Sequence, residues 1–141
     1  MNDVLIWLKA AAATLGGVIG WYIGDISGLL IALLVLISLD YASGVMVAIK
    51  NRRLSSAVGF VGICRKVLML ALVGVGNILD IHVIGSGSVL RSLVICYYLA
   101  NEGISLIENA SALGLPVPTK LQDFFVQLKD KAEKDDTKKE E

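Results

Sequence analysis

Residues 29–49 read LLIALLVLISLDYASGVMVAI, and Asp40 is the only acidic or basic residue among them. A helix rises about 1.5 Å per residue, so a helix of this length would be about 31 Å long. The hydrocarbon core of a bilayer is about 30 Å thick, and a run of this length and apolar character is typical of a helix that crosses it. We therefore expect this segment to span a membrane.

Basic residues follow this segment directly. Residues 50–66 read KNRRLSSAVGFVGICRK and contain no acid. Short loops rich in lysine and arginine stay on the cytoplasmic side of a membrane, so this loop predicts the orientation of the whole chain. The residues that carry this topological signal are Lys50, Arg52, Arg53, Arg65 and Lys66.

The overall composition agrees with a membrane protein. Of the 141 residues, 55% are hydrophobic, and the mean hydropathy is +0.71. An ordinary soluble domain is less apolar than this. The charges are also unevenly distributed, because residues 129–141 contain eleven of the 26 acidic and basic side chains. The composition therefore predicts one small integral membrane domain with a charged tail.

Residue types that carry chemistry are few and scattered. Cys64 lies in the basic segment and Cys96 in a later apolar run, so we expect two apolar fillers rather than a disulfide. His82 is the single histidine, and no cysteine stands at ligand spacing from it. We therefore predict no metal, no cofactor and no enzymatic activity, since no nucleophile and base can be paired from these residues. Nucleic-acid binding is not expected, because the basic segment is short and has one aromatic residue.

An earlier apolar run covers residues 4–24, and we interpret it as a retained helix because no positive charge precedes it as in a signal peptide. Small residues recur at every fourth position, at Ala12, Gly16, Gly20 and Gly24, so they share one helix face. Such a face lets a second helix approach closely in lipid. The pattern favours self-association through the three glycines; the alternative is that small residues are simply common in membrane helices.

Asp40 is the costly residue of the second helix. An acid at the centre of a spanning helix costs about 2.5–3.5 kcal/mol on insertion scales, whereas each Leu, Ile or Val contributes about 0.3–0.6 kcal/mol in favour. The segment should insert, but Asp40 should not face lipid. Gly44 lies one turn further on the same face, so we expect Asp40 and Gly44 at a helix contact in an oligomer. A functional acid and a structural hydrogen bond are equally compatible with this position.

Two further apolar runs carry polar residues. The third run covers residues 67–79 and extends to residue 84, and its Asn77 and Asp80 are three apart, so they share a face. The fourth run, residues 92–107, bears a polar stripe with helical spacing. Three environments fit this stripe: the interior of a helix bundle, the membrane–water interface, or water inside an assembly. With Asn77 and Asp80, the candidates for a polar pore lining are the stripe residues Asn101, Glu102, Ser105 and Glu108.

Residues 115–118 read LPVP and should end the fourth helix, since neither proline can continue it. We therefore predict a membrane domain at residues 1–118 and a charged cytoplasmic tail at residues 119–141, disordered or loosely helical beyond Lys129. The predicted fold is an all-α integral membrane protein with four transmembrane or membrane-embedded helices and both termini in the cytoplasm. Three spans result if the first helix only dips into the membrane or the fourth lies flat.

Two separated blocks of sequence resemble the phage-lysis and toxin-secretion holins of Gram-positive bacteria and their phages, the family that includes the clostridial toxin-secretion holin. The resemblance covers residues 29–128 and rests on the order and spacing of many short pieces. The first block comprises Leu39-Asp40, Ser43-Gly44, Ala48-Ile49-Lys50, Leu54-Ser55-Ser56, Gly59, Gly62, Arg65-Lys66 and Asn77-Ile78-Leu79-Asp80. The second comprises Ala100-Asn101-Glu102-Gly103-Ile104-Ser105, Glu108-Asn109, Gly114-Leu115-Pro116-Val117-Pro118 and Lys120-Leu121.

The resemblance implies a protein of the bacterial (host) cytoplasmic membrane that forms homo-oligomers and opens lesions. A cell-wall hydrolase leaves through the lesions, or a toxin in toxin-secreting relatives. The expected partners are further copies of the chain, membrane lipids and the released cargo. We expect Asp40, Asn77, Asp80 and Glu102 to be held against one another, and sister copies of the chain to shelter them from lipid. When the assembly reorganises, the polar stripe of the fourth run then turns toward water.

Two other classes of function fit the same residues. A small ion channel or a proton-coupled transporter subunit could use Asp40 and Glu102 as an ion relay, although no inverted repeat or pair of broken helices is visible. A membrane scaffold without conductance is the third class.

Overall fold

The computed structural model describes residues 2–137, and most of them are helical. The helices are α1 (Asn2–Ile23), α2 (Gly28–Lys50), α3 (Ser56–Leu79), α4 (Val89–Ala112) and α5 (Thr119–Thr137). A π-helical turn, Asp80–Ile84, continues α3 without a break.

Three of the described helices are long and apolar enough to cross a membrane. They are α1, α2 and the continuous segment Ser56–Ile84 formed by α3 and its π-helical turn. Helix α4 has the same length as α3 but carries Arg91, Glu102 and Glu108, and it is not among them. The predicted all-α fold is confirmed for the described residues, and the three apolar helices are consistent with a membrane protein. The fourth span and the orientation stay predictions.

Serine caps set where two of the helices begin. The Ser27 hydroxyl accepts a hydrogen bond from the Leu30 N–H at 3.3 Å and caps α2. In the same way, the Ser55 hydroxyl accepts from the Val58 N–H at 3.2 Å and caps α3. The connection between α2 and α3 is therefore only residues 51–55. The expectation of a loop over residues 50–66 was wrong, because Ser55 starts a helix that carries Arg65 and Lys66 within it.

Helices α2, α3 and α4 form a bundle with one apolar core. Side chains from all three contribute to it, and α5 adds Phe125. Leu33, Val73 and Ile95 are the largest apolar side chains that are completely enclosed. The core residues are Leu30, Leu33, Ile37, Val73, Ile95, Leu99 and Phe125.

The helix ends gather in two groups. At what we call the basic end, the Lys50 ammonium group donates a hydrogen bond to the carbonyl of Ala112, the last residue of α4. We call the opposite end, where the chain turns from α3 into α4, the turn end. There the Arg91 Nε donates to the carbonyl of Ile23, the last residue of α1, at 2.7 Å. These contacts make α4 parallel to α2 and antiparallel to α3, so α4 runs along two segments that are long and apolar enough to span a membrane.

Helix α5 returns from the basic end and packs against α4. The Phe125 ring lies on Gly103, where a Cβ atom would come within 2.4 Å of the ring. Further along α5, Ala132 is also buried. A disordered or loosely helical tail was expected beyond Lys129, but the helix continues to Thr137 because its packing on α4 extends that far. Residues 138–141 lie outside the described residues. The domain boundary after residue 118 stays a prediction.

Helix α1 touches the bundle only near its C-terminal end. The Tyr22 ring lies on Gly74, and its hydroxyl donates to the Ala71 carbonyl at 2.8 Å. Residues 2–21 are exposed, and the space beside Gly16 and Gly20 is open. We expected Gly24 to lie on the same helix face as Gly16 and Gly20, but this was wrong. Helix α1 ends at Ile23, and Gly24 adopts a left-handed φ of 88°.

Candidate functional site

One lysine joins two carboxylates from different helices in the middle of the bundle. The Lys66 ammonium group of α3 donates to Oδ2 of Asp40 on α2 at 2.6 Å and to Oε2 of Glu102 on α4. Asp40 is 8% exposed and Glu102 is 3% exposed. We call Asp40, Lys66 and Glu102 the charged cluster. It connects the three helices of the bundle through one cation.

Neutral side chains complete the hydrogen bonding around Asp40. The Asn109 amide group donates to Oδ1 of Asp40 at 3.1 Å and to the Ser43 hydroxyl at 3.0 Å. The Ser43 hydroxyl in turn donates to the Asp40 carbonyl oxygen at 3.0 Å. Asp40 is therefore held by α3 and α4 together. Its burial needs no second copy of the chain, which differs from the expectation that sister copies provide the shelter.

A cavity of about 360 Å³ lies beside the charged cluster and extends toward the basic end. Its wall combines the three charged side chains with the polar groups of Tyr41, Ser105 and Asn109. When all three groups of the cluster are ionised, their net charge is −1. Arg65 lines the same cavity, so the four ionised side chains around it carry no net charge together. Gly44, Gly59, Gly62 and Arg65 also line the cavity.

A second polar cluster lies at the turn end. Both carboxylate oxygens of Asp80 accept backbone N–H groups at the start of α4, from Leu90 at 3.0 Å and from Arg91 at 2.8 Å. This carboxylate is 1% exposed and caps α4 in the manner of an N-cap side chain. The Arg91 guanidinium group donates to the carbonyls of Ile23 and Asp25. The cluster thus joins the π-helical turn, α4 and the end of α1.

Asn77 strengthens the same junction. Its amide group donates to the carbonyl of Tyr22 at 3.1 Å and to that of Trp21 at 3.3 Å. These carbonyls belong to the last turn of α1, and carbonyls at the C-terminus of a helix have no N–H donor within that helix. A Cβ atom on Gly24 would lie 2.5 Å from the Asn77 amide oxygen, so this close approach requires a glycine.

The structure divides the predicted polar residues into separate groups. Asp40 and Glu102 meet at Lys66, as expected of groups held together, but Asn77 and Asp80 belong to the cluster at the turn end. The expectation that all four lie against one another was wrong, because Asp40 and Glu102 lie in the middle of the bundle whereas Asn77 and Asp80 lie at its turn end. On α4, Ser105 lines the cavity, Asn101 is half-buried and Glu108 is exposed.

Two functions of charged residues were not predicted. Lys66 was interpreted only as a topological charge, although it is the cation of the charged cluster. Arg91 was not singled out at all. A cation that borders or interrupts an apolar run is the signal that would have found both, since such a charge requires a partner in a membrane protein. Arg52 and Arg53 are exposed in the connection after α2, as expected of topological charges.

Comparison with known families decides the relationship of the chain. Residues 17–130 match the bacteriophage holin family. The chain belongs to this family. The match begins within α1 and ends within α5, so it includes both polar clusters of this holin-family protein and the contact of α5 with α4. The predicted resemblance is thereby confirmed, and it extends into the first helix.

Individual relatives cover most of this holin-family chain. It is 33% identical over 108 residues to a probable holin of Bacillus phage phi105, covering 74% of this chain and 79% of the relative. It is 38% identical over 132 residues, 93% of this chain and 99% of the relative, to an uncharacterized 14.9 kDa protein in the nagH 3′ region of Clostridium perfringens. An uncharacterized protein of Listeria monocytogenes is 34% identical over 131 residues, 93% of each chain. No solved structure matches.

Proposed function

We propose that this chain is a holin that forms homo-oligomers in the bacterial cytoplasmic membrane and opens lesions that release a cell-wall hydrolase or a toxin. Membership of the holin family supports this function most directly. The observation that carries the self-association is helix α1, whose apolar surface is exposed along nearly its whole length. Because soluble proteins rarely expose so large an apolar surface, lipid and further copies of the chain are its natural neighbours.

The proposed topology has four membrane-embedded helices and both termini in the cytoplasm. It places the basic end on the cytoplasmic side, in agreement with the lysine and arginine bias of residues 50–66. Helix α4 supports the fourth passage because it lies beside α2 and α3 from one end to the other. Its charged residues Arg91 and Glu102 are turned into the bundle, where they are paired.

The charged cluster is proposed to hold each subunit closed. It joins α2, α3 and α4 through Lys66, and the ion pairs are largely buried within the bundle. A buried charge that loses its partner is strongly destabilising, so the three helices separate only at a substantial cost. We propose that subunits gather through the face of Gly16 and Gly20 and that lesions form when the assembly rearranges.

The proposed role of the α4 stripe as a pore lining has a direct test. Glu108 is exposed, whereas Glu102 reaches a lumen only after it separates from Lys66. Substituting both by leucine should leave membrane insertion intact and block lysis. Glu108→Leu alone is the matched variant that leaves the charged cluster unchanged. Normal lysis timing in the double variant would exclude the stripe from the mechanism.

An ion channel or proton-coupled transporter subunit is the second candidate. The observation that favours it is the cavity beside the charged cluster, because its acids could bind and release a proton or cation. Against it, Asp40 and Glu102 share the same lysine and do not form a chain of sites across the membrane. A graded ion flux would be the signature of this class.

Induced expression in a bacterium tests the proposal. A cell-wall hydrolase without its own export signal is expressed together with the chain, and membrane potential and extracellular hydrolase activity are followed over time. A holin gives an abrupt loss of potential together with the appearance of hydrolase outside. Ion flux without release of folded protein indicates a channel, and the absence of both indicates a scaffold.

A further inference from the structure

Lys9 is the basic residue of α1, a helix in which no residue is buried. Helix α1 is also one of the three helices that are long and apolar enough to cross a membrane. Within residues 2–137, no ion pair or hydrogen bond involves the Lys9 side chain. A charged group inside such a helix needs a partner, because it is costly against acyl chains.

Lys9 lies on the same side of α1 as Gly16 and Gly20. The two glycines follow it by 7 and 11 residues. At 3.6 residues per turn, this spacing brings all three within about 20° of one another around the helix axis. The space beside both glycines is open. A neighbour that approaches this side, which we call the glycine face of α1, therefore also meets Lys9.

Glu102 has one carboxylate oxygen left for a further donor. Its Oε2 accepts from Lys66, whereas no donor in the described part of the chain reaches its Oε1. Both carboxylate oxygens of Asp40, in contrast, accept hydrogen bonds, from Lys66 and Asn109. Arg65 is exposed and forms no ion pair with either acid among the described residues. The two buried acids therefore share one cation, and Glu102 can accept from a second.

The cavity beside the charged cluster has room for a long side chain. It has a volume of about 360 Å³, and glycines of α2 and α3 line it without filling it. Its wall also includes the exposed Val58, so the cavity is open to the outside of the bundle. A lysine carries its ammonium group at the end of a flexible four-carbon stem, which suits a cavity with apolar walls and an acid at its inner end.

Lys9 and Glu102 also lie at similar distances from the turn end, where Arg91 contacts Ile23. Lys9 is 14 residues from Ile23, or about 21 Å of helix, and Glu102 is 11 residues from Arg91, or about 17 Å of helix. Copies that cross one membrane in the same orientation keep these levels. Lys9 of one copy is therefore within one helical turn of the level of Glu102 in its neighbour.

We infer that Lys9 of one copy enters the cavity of a second copy and donates to Oε1 of Glu102 there. The inference rests on the proposed function, because it needs α1 in the membrane beside further copies, and it names the surface on which α1 docks. The two buried acids then have two cations. Each copy offers one α1 and one cavity, so the contact is head-to-tail and extends from copy to copy.

Disulfide formation between two forms of the full-length chain tests this docking. Both forms carry Cys64→Ser and Cys96→Ala, so that each has only the cysteine introduced into it. One form carries Leu5→Cys on α1. The other form, enlarged by a fused tag, carries Val45→Cys in the wall of the cavity. Both positions lie about one helical turn closer to the basic end than Lys9 and the charged cluster.

The matched control carries Met46→Cys in place of Val45→Cys. Met46 lies at nearly the same depth, but its side chain is 55% exposed and lies outside the cavity wall. The two forms are expressed together, the membranes are oxidised, and the disulfide-linked heterodimer is measured by gel electrophoresis. A general chemical crosslinker is applied to parallel samples to detect oligomers of any arrangement.

The inference predicts several-fold more heterodimer with Val45→Cys than with Met46→Cys. Adding Lys9→Met to the Leu5→Cys form should remove this preference, because the variant cannot donate to Glu102. Lys9→Arg should retain it, since arginine also donates to a carboxylate.

Oligomers without a preference for position 45 would overturn the inference and leave the proposed function intact. A preference that persists in Lys9→Met would also overturn it, because α1 would then dock without the ion pair. Membranes in which neither method yields an oligomer would overturn the proposed self-association, and the inference with it.

Discussion

Lys66 shows how a single residue connects three helices. It contacts Asp40 and Glu102, which are 26 and 36 positions away from it in sequence. All three side chains are largely shielded, so the interaction is not screened as a surface pair would be. In such a place the loss of one partner is more harmful than the loss of the whole cluster, because the remaining charges stay buried.

Lys66→Met should destabilise the folded bundle by about 3–5 kcal/mol, because two buried carboxylates lose their cation. Denaturation in detergent micelles, followed by circular dichroism, measures this effect. Arg53→Met is the control, since Arg53 is an exposed cation in the connection after α2 and should change stability by less than about 0.5 kcal/mol. Equal losses in the two variants would show that the charged cluster contributes nothing specific.

Replacing all three residues of the charged cluster distinguishes the effect of an unpaired charge on stability from the effect of altered packing. Asp40→Asn, Lys66→Met and Glu102→Gln together remove every charge but keep side chains of similar size. We expect this triple variant to recover most of the stability lost in Lys66→Met, because no buried charge is left unpaired. A triple variant less stable than Lys66→Met would contradict this explanation.

The helices themselves are defined by local signals that the sequence displays. Ser27 and Ser55 cap α2 and α3, and residues 115–118 interrupt the chain before α5. The beginning of α3 was misplaced all the same, because its first turns are less apolar than residues 67–79 and were assigned to the basic loop. The start of α4 depends on a different kind of cap. Asp80 is ten positions before Leu90 and reaches it only because the chain reverses direction in residues 85–88, after the π-helical turn.

Asp80→Ala should loosen the first turn of α4 by about 1–2 kcal/mol, since two N–H groups lose their acceptor. Hydrogen exchange of the Leu90 and Arg91 amides in micelles is the measurement, and both should exchange faster. Asp80→Asn keeps one acceptor oxygen and should have a smaller effect. Unchanged exchange in the alanine variant would mean that the cap does not hold this turn.

Helix α5 depends on Phe125 for its attachment to α4. Phe125→Ala should weaken the attachment by about 3 kcal/mol through the loss of a buried ring. Trypsin should then cleave after Lys129 and Lys131 much faster than in the unchanged chain. Phe124→Ala is the matched control, because Phe124 is 56% exposed whereas Phe125 is 9% exposed. Similar cleavage in both variants would show that α5 does not pack on α4 in the micelle.

At the scale of the whole molecule, polar groups are kept inside one subunit and apolar surface is left outside. The two polar clusters close the bundle at its centre and at the turn end. Helix α1 and the outer sides of α2 and α3 expose large apolar residues. The polar groups of both clusters are therefore hydrogen-bonded within a single copy. The proposed assembly depends on surfaces such as the glycine face of α1.

Gly16→Ile combined with Gly20→Ile should reduce chemically crosslinked oligomers several-fold, because the larger side chains keep a second helix at a distance. Crosslinking in membranes, followed by gel electrophoresis, measures the oligomers. Gly17→Ile is the control, since Gly17 is equally open but lies on a different side of α1. Unchanged crosslinking in the double variant would show that the glycine line has no role in association and reflects only the frequency of small residues in membrane helices.

The sequence by itself determined the all-helical membrane character of this protein, its relationship to the holins and most of its helix boundaries. These properties follow from hydrophobic runs, caps and prolines, which act over a few neighbouring residues. Only the tertiary structure decided that Lys66 pairs with Asp40 and Glu102, that Asp80 caps α4, and that α5 returns along the bundle. Such contacts join residues that are far apart in the chain, and the packing of the helices, not the local pattern, brings them within hydrogen-bond distance.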